Sequence, residues 1–290
     1  MNDSTVVNDE FVAFWNDVLV AKFERFRNIL LEGLSYHSQA PLGDWKLPQG
    51  SRVVDVGCGW GDTAIALARK VGPSGSVLGL DCCDAFLDKG RDDARAEGLD
   101  NVRFVAADVQ TYPFKPEYDA CFSRFGMMFF ANPVAAMRNI RRGLKPGGRL
   151  LFVVWRQLAD NPFLAVPKEI VLRFLPPPGE DAQTCGPGPF SMANPDVVTA
   201  QLEAAGYDDI AFVRNDGPVM VGRDVDQAVQ FQLALGPAGE IVREAGALAQ
   251  TRSADIDAAL REALARHRQT DGSIVMHSSS WAITARNPAP

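Results

Sequence analysis

Apolar positions recur along this chain with two different periods, and the switch between them divides it. From Phe11 to Leu34 the apolar residues Phe11, Trp15, Val18, Leu19, Phe23, Phe26, Ile29, Leu30 and Leu34 fall at steps of three and four. That spacing predicts an amphipathic helix, broken once. A loop is expected next, punctuated by Pro41, Gly43, Pro48 and Gly50. Short apolar runs then take over, each ending in turn residues and followed by a helical stretch. Strands are expected at Arg52–Val56, Ser76–Leu80, Val102–Ala106, Tyr118–Phe122 and Arg149–Trp155, with helices at Thr63–Val71, Ala85–Glu97 and Pro133–Leu144. Lys145-Pro146-Gly147-Gly148 reads as the turn before the fifth strand. Strands and helices alternating at this spacing imply an α/β fold, a mostly parallel sheet with helices on both faces.

Beyond Trp155 the alternation lapses. Residues 156–190 carry Pro176-Pro177-Pro178-Gly179 and Gly186-Pro187-Gly188-Pro189 and read as an irregular lid or binding loop. Asn194–Gly206 resumes as a helix, with a sixth strand around Ile210–Val213. Helices at Val225–Leu235, Glu240–Ala249 and Ile256–His267 precede a last strand within Ser273–Ala285. The expected organisation is an N-terminal helical cap over 1–45, a Rossmann-like core over 46–156, a Pro-rich lid over 157–192, core again over 193–222, a helical cap insertion over 223–270, and a final core strand and tail over 271–290.

Composition narrows the function classes. The net charge is −7, against the basic surplus that usually marks a nucleic-acid binder. Cys58, Cys82, Cys83, Cys121 and Cys185 are odd in number and lack framework spacing, which points to reduced thiols and a cytoplasmic setting. With only three histidines and no Cys-x-x-Cys pairs, no metal site is expected. The N-terminus has neither a basic start nor an apolar stretch, so no signal peptide is expected, and no apolar run reaches the ~18 residues of a membrane span.

The strongest chemical signal is Val53-Val54-Asp55-Val56-Gly57-Cys58-Gly59-Trp60-Gly61-Asp62. A dinucleotide-binding dehydrogenase wants G-x-G-x-x-G, but here the third glycine comes one position early and residue 62 is Asp. Asp55 also lies inside a strand buried on both faces, where a carboxylate is costly unless hydrogen-bonded. Asp81 ends the second strand, where a carboxylate can accept from both hydroxyls of a ribose, a feature shared with NAD enzymes. Cys82 follows it, placed either against an adenine face or as a plain buried thiol. Asp108 and Val109 end the third strand, where the carboxylate and the next N–H suit an adenine edge, or simply cap a turn. Ser123 and Met128 follow the fourth. These four strand ends share the carboxyl edge of the sheet, the ligand crevice of open α/β folds.

The Asp-x-Gly-x-Gly-x-Gly run, Ser123-Arg124-Phe125-Gly126-Met127-Met128-Phe129-Phe130 and the Leu144-Lys145-Pro146-Gly147-Gly148-Arg149-Leu150 turn together resemble the class I S-adenosylmethionine (SAM)-dependent methyltransferases, and more narrowly the ubiquinone/menaquinone C-methyltransferase-like branch. Phe14-Trp15-Asn16 resembles a cap segment of these relatives. The resemblance is specific over about 50–155 and departs in the Pro-rich segment and the 224–268 helices. It implies a seven-stranded Rossmann-like sheet with its last strand antiparallel, SAM as cofactor, and methyl transfer to a small-molecule acceptor. It places Trp15, Asp55, Gly57, Cys58, Gly59, Gly61, Asp81, Cys82, Asp108, Val109, Ser123 and Met128 around the cofactor, with Asp55 orienting the loop and the cofactor's amino group. His37 is the candidate general base, against the alternative of an exposed loop histidine. The partner expected is a small molecule, with no nucleic acid and no membrane span; a homodimer is left open. An NAD-dependent oxidoreductase and a non-catalytic SAM-binding regulator are the competing readings.

Overall fold

The computed structural model describes residues 9–179 and 186–289. Cys185, part of the Pro-rich lid and the first eight residues lie outside them. Five parallel strands form the core: β1 (Arg52–Val56), β2 (Ser76–Asp81), β3 (Val102–Ala106), β4 (Tyr118–Arg124) and β5 (Leu144–Trp155). With β6 (Asp208–Gly222) and β7 (Ile274–Arg286) they make one seven-stranded sheet in the order β3-β2-β1-β4-β5-β7-β6. β7 runs antiparallel to both neighbours.

Alternation along the strands sends side chains into two cores, one on each face. Val53, Val77, Ala120 and Phe122 pack on one side. Val54, Leu78, Cys121 and Leu150 pack on the other. Four helices precede and follow β1: α1 (Asp9–Phe14), α2 (Val20–Arg25), α3 (Arg27–Asp44) and α4 (Asp62–Val71). In α4, Asp62 in the first turn and Arg69 and Lys70 in the last suit the helix dipole, while Ile65, Leu67 and Val71 are buried against the sheet. α5 (Asp84–Ala96) and α6 (Pro133–Gly143) complete the core crossovers. Asn132 caps α6 by accepting from the Ala135 N–H at 2.9 Å, with Pro133 in the first turn, where its missing N–H costs nothing.

Three expectations need correction. The loop expected after Leu34 is helix, because α3 continues through Pro41. A proline in the last turn removes a single hydrogen bond, and buried Leu42 and Trp45 hold the end of the helix down. The segment after Trp155 is partly regular, with a 3-10 turn at Leu158–Asp160 and a helix α7 (Pro162–Val171). Pro162 opens that helix rather than breaking it, and buried Asn161 ties its start down by accepting from the Ser279 N–H at 2.9 Å. β6 is also far longer than Ile210–Val213, despite Gly217 and Pro218. It is an edge strand, the one place in a sheet where a proline leaves no partner strand unsatisfied.

α8 (Pro195–Ala205) precedes β6, and α9 (Val225–Ala234), α10 (Gly236–Ala245), α11 (Ala247–Thr251) and α12 (Ser253–Ala265) stand between β6 and β7. Between α1 and α2 the chain makes a π-helical turn, Trp15–Leu19. Wider turns of this kind gather at functional sites. No helix among the described residues is long and apolar enough to cross a membrane.

Candidate active site

A cavity of about 490 Å³ opens over the carboxyl ends of the parallel strands. Its floor is the run of strand ends expected from the sequence, and its size is that of a small-molecule site. Gly57, Cys58 and Gly59 come from the end of β1, Asp81 and Cys82 from β2, Asp108 and Val109 from β3, and Arg124, Phe125 and Met128 from β4. Trp15 reaches it from the N-terminal cap, packed edge-on to Phe23 and Phe129 with ring centroids 5.1 Å apart in each case.

The glycine loop is shaped by steric demand. Gly57, Gly59 and Gly61 have φ of 65°, 52° and 81°, the left-handed region that other residues enter at a cost. A Cβ on Gly57 would lie 2.9 Å from the Gly126 Cα, so the β1 and β4 loops touch backbone to backbone. A Cβ on Gly61 would lie 2.6 Å from the Phe104 ring, so this glycine serves helix packing and does not line the cavity. A Cβ on Gly59 would meet no atom of the described residues within 4 Å, and Gly59 does line the cavity. The space above it is free for a ligand that lies against the backbone.

Asp81 accepts from the Gly59 N–H at 2.8 Å and the Cys83 N–H at 3.0 Å, so it braces the glycine loop while facing the cavity. Burial raises its pKa, and those two backbone bonds oppose the rise. Asp108 closes a turn by accepting from the Gln110 N–H at 2.9 Å and also lines the cavity. Asn16 of the cap donates to the Cys82 carbonyl at 3.3 Å, and Trp60 of the loop hydrogen-bonds Glu24 of α2. These contacts fasten the N-terminal segment across the β1–β2 edge.

Asp55, Ser123 and His37 do not line the cavity. Asp55 is fully buried beneath the glycine loop, accepting from Thr63 Oγ1 at 2.6 Å. Burial pushes its pKa up to about 7, the Thr63 bond opposing. Asp55 Oδ1 and Ser123 Oγ are buried without a hydrogen-bond partner, two polar atoms left over beneath the β1 and β4 ends. His37 is corrected outright. It lies within α3, completely buried, with its ring nitrogens 2.8 Å from Ser280 Oγ and 2.7 Å from Ser278 Oγ. Burial, then the nearby Arg124 charge, lowers its pKa to about 4. Its ring stands edge-on to Trp155 at 4.9 Å, behind the lining of the cavity rather than part of it. No histidine lines the cavity.

Sequence reasoning missed one polar pair. Arg124 and Asp62 both line the cavity and form a two-pronged ion pair at 2.8 and 3.0 Å. The available signal was a cation at the carboxyl end of β4, with Asp62 noted only as a departure from the dehydrogenase pattern.

Comparison with known proteins agrees with this geometry. Residues 53–148 match the family described as Methyltransferase domain. The chain is 31% identical over 181 residues to a ubiquinone/menaquinone biosynthesis C-methyltransferase from Idiomarina loihiensis, covering 59% of this chain and 72% of that protein. It is 31% identical over 132 residues to a demethylmenaquinone methyltransferase from Staphylococcus aureus, covering 45% of this chain and 54% of that protein. The chain belongs to the class I SAM-dependent methyltransferases, in the ubiquinone/menaquinone C-methyltransferase-like branch. It is a methyltransferase, and SAM is its cofactor. The fold is shared more widely. The YcgJ protein from Bacillus subtilis superimposes with a TM-score of 0.57 at 18% identity, over 88% of this chain and all of that one. A phosphoethanolamine N-methyltransferase from Haemonchus contortus gives 0.59 at 16% identity, over 96% of this chain and 60% of that one.

Proposed function

We propose that this enzyme methylates an apolar or aromatic small molecule inside the capped cavity. The observation that carries the reading is the contrast between the cavity's two sides. Its floor holds the charged groups Asp62, Asp81, Asp108 and Arg124, whereas its roof, Lys168 and Glu240 apart, is mainly apolar: Phe11 and Phe23 from the N-terminal cap, Phe163 and Leu164 from α7, and Phe231 and Leu235 from α9 and its end. A nucleoside cofactor suits the polar floor, and the roof suits an acceptor of low polarity. The demethylmenaquinone and ubiquinone/menaquinone enzymes among its relatives make quinol precursors the first acceptors to test.

In this reading Asp81 takes the ribose hydroxyls, and Asp108 with the Val109 N–H meets the adenine edge. The described parts of the cap segments, 9–45, 157–179, 186–192 and 223–270, supply the acceptor chamber. The cofactor supplies a methyl group already activated as a sulfonium. The chain's own work is therefore to align the acceptor with it and to exclude water, and alignment alone contributes several kcal/mol to such displacements. Phe125 and Trp155, stacked with centroids 3.9 Å apart, present a flat apolar wall for an acceptor ring. Because His37 is sealed off, no imidazole takes up an acceptor proton at the cavity.

Mass spectrometry of co-purifying molecules, followed by turnover with isotope-labelled SAM, tests the acceptor class. Quinols and hydroxylated aromatics should become labelled. Transfer confined to polar amines or to protein and nucleic-acid acceptors would overturn the apolar-acceptor reading.

A further inference from the structure

We propose that Asp62 and Arg124, steadied by Ser38, form the seat for the charged amino-acid end of the cofactor, Arg124 meeting the carboxylate and Asp62 the ammonium. The inference rests on the SAM reading of the cavity and names residues that the strand-end motifs do not include.

It begins with the order of groups along the sheet edge. Asp108, Asp81, Gly57 and Arg124 lie at the carboxyl ends of β3, β2, β1 and β4, which are successive neighbours in the sheet. Neighbouring strands lie about 4.8 Å apart, so the line from Asp108 to Arg124 is roughly 14 Å. An extended ligand with adenine at the β3 end and ribose at β2 must bring its amino-acid arm past β1 to β4. There the floor offers one cation and one anion side by side, the complement of a zwitterion. The other lining charges, Lys168 and Glu240, come from α7 and α10 in the roof.

The pair is also built for a fixed geometry. Arg124 Nη1 donates to Asp62 Oδ2 at 2.8 Å and to Ser38 Oγ at 3.1 Å, and Nη2 donates to Asp62 Oδ1 at 3.0 Å. Among the described residues its Nε–H and second Nη2–H meet no acceptor, and the side chain is only 11% exposed. A guanidinium so held has lost its rotamer freedom before a ligand arrives, and its free edge can accept a carboxylate side-on. Asp62 keeps lone pairs for an ammonium on the same rim. Gly57 lies close by, because its backbone touches Gly126, two residues past Arg124.

Titration calorimetry with two adenosyl thioethers reads the seat directly. S-adenosylhomocysteine carries both charged groups; 5′-methylthioadenosine carries neither. The wild type should prefer the former by about tenfold or more, the scale of charge-assisted hydrogen bonds. Arg124→Gln and Asp62→Asn should each remove most of that preference, moving methylthioadenosine affinity by less than about twofold. Ser38→Ala should reduce the preference in the same direction by a smaller factor, and it tests the seat even if the charge variants fold poorly. Equal losses for both ligands would overturn the proposal, since the pair would then only brace the glycine loop. Unchanged homocysteine-ligand affinity with a raised acceptor KM would overturn it too, assigning the pair to the acceptor. A wild type that binds NAD but neither thioether would overturn the SAM reading itself, a distinct result.

Discussion

His37 and Asp55 are titratable side chains whose pKa values burial shifts toward the neutral form, and their pH signatures have opposite signs. The folded pKa of His37 lies at about 4, below its ordinary 6.5. Above pH 6.5 both folded and unfolded chains carry it neutral; from there down to about 4 only the unfolded chain takes up the proton. Stability is therefore lost as pH falls across that window, by about 1.4 kcal/mol per pH unit. Urea unfolding of the wild type against His37→Gln should show the gap between them narrowing as pH falls; parallel curves would contradict this account. Asp55, raised from 3.8 to about 7, contributes stability that is fully present below pH 3.8 and is lost as pH rises from there to about 7. Asp55→Asn should accordingly gain on the wild type between about pH 4 and 7 and run parallel to it above, in the same measurement. Asp81 has a functional signature instead. Asp81→Ala should weaken SAM binding by roughly 1.5–3 kcal/mol, the worth of a hydrogen bond to a charged group. Wild-type affinity in the folded variant would remove Asp81 from the site.

The glycine loop divides its labour in a way that substitution can expose. Gly57→Ala drives a methyl into the Gly126 backbone, and Gly61→Ala drives one into Phe104 next to α5. Both add strain at positive φ to overpacking, so each should lower unfolding stability by about 2–4 kcal/mol. Gly59→Ala carries the backbone strain alone, about 1 kcal/mol, because no atom of the described residues stands in the way. Its larger effect should fall on the cofactor, seen as SAM affinity lost out of proportion to melting temperature. Equal stability losses for all three variants would mean that the Gly59 side faces protein after all.

Across the whole molecule, the caps and the sheet should respond to different ligands. SAM binds the folded chain alone, so it should raise the melting temperature by mass action, whereas NAD should leave it in place. Hydrogen exchange should show protection with S-adenosylhomocysteine at the β1, β2 and β3 ends. Adding an acceptor should extend it to α7, α9 and the N-terminal helices, whose side chains form the roof. Acceptor-dependent protection on another surface, with the caps unchanged, would place the acceptor elsewhere.

How much of this was legible in the chain follows from how local each feature is. The alternation of strands and helices from Arg52 to Trp155, the left-handed glycines and the carboxylates at strand ends are each set within a few residues, by periodicity, sterics and turn chemistry. The sequence by itself therefore determined the sheet, its cofactor edge and the class of enzyme. Pro41 misled because it reads as loop punctuation, whereas tertiary context placed it in a last helical turn. The helix opened by Pro162 and the long edge strand carrying Pro218 were likewise set by packing. The site residues diverged in the same way. Asp62 and Arg124 lie far apart in sequence and meet only because α4 starts where β4 ends. His37 looked available as a base until α3 was laid against β6 and β7, where Ser278 and Ser280 enclose it. Long-range packing alone decides which polar group faces the cavity and which is sealed behind its wall, because desolvation and hydrogen-bond partners belong to neighbours that the local sequence does not contain.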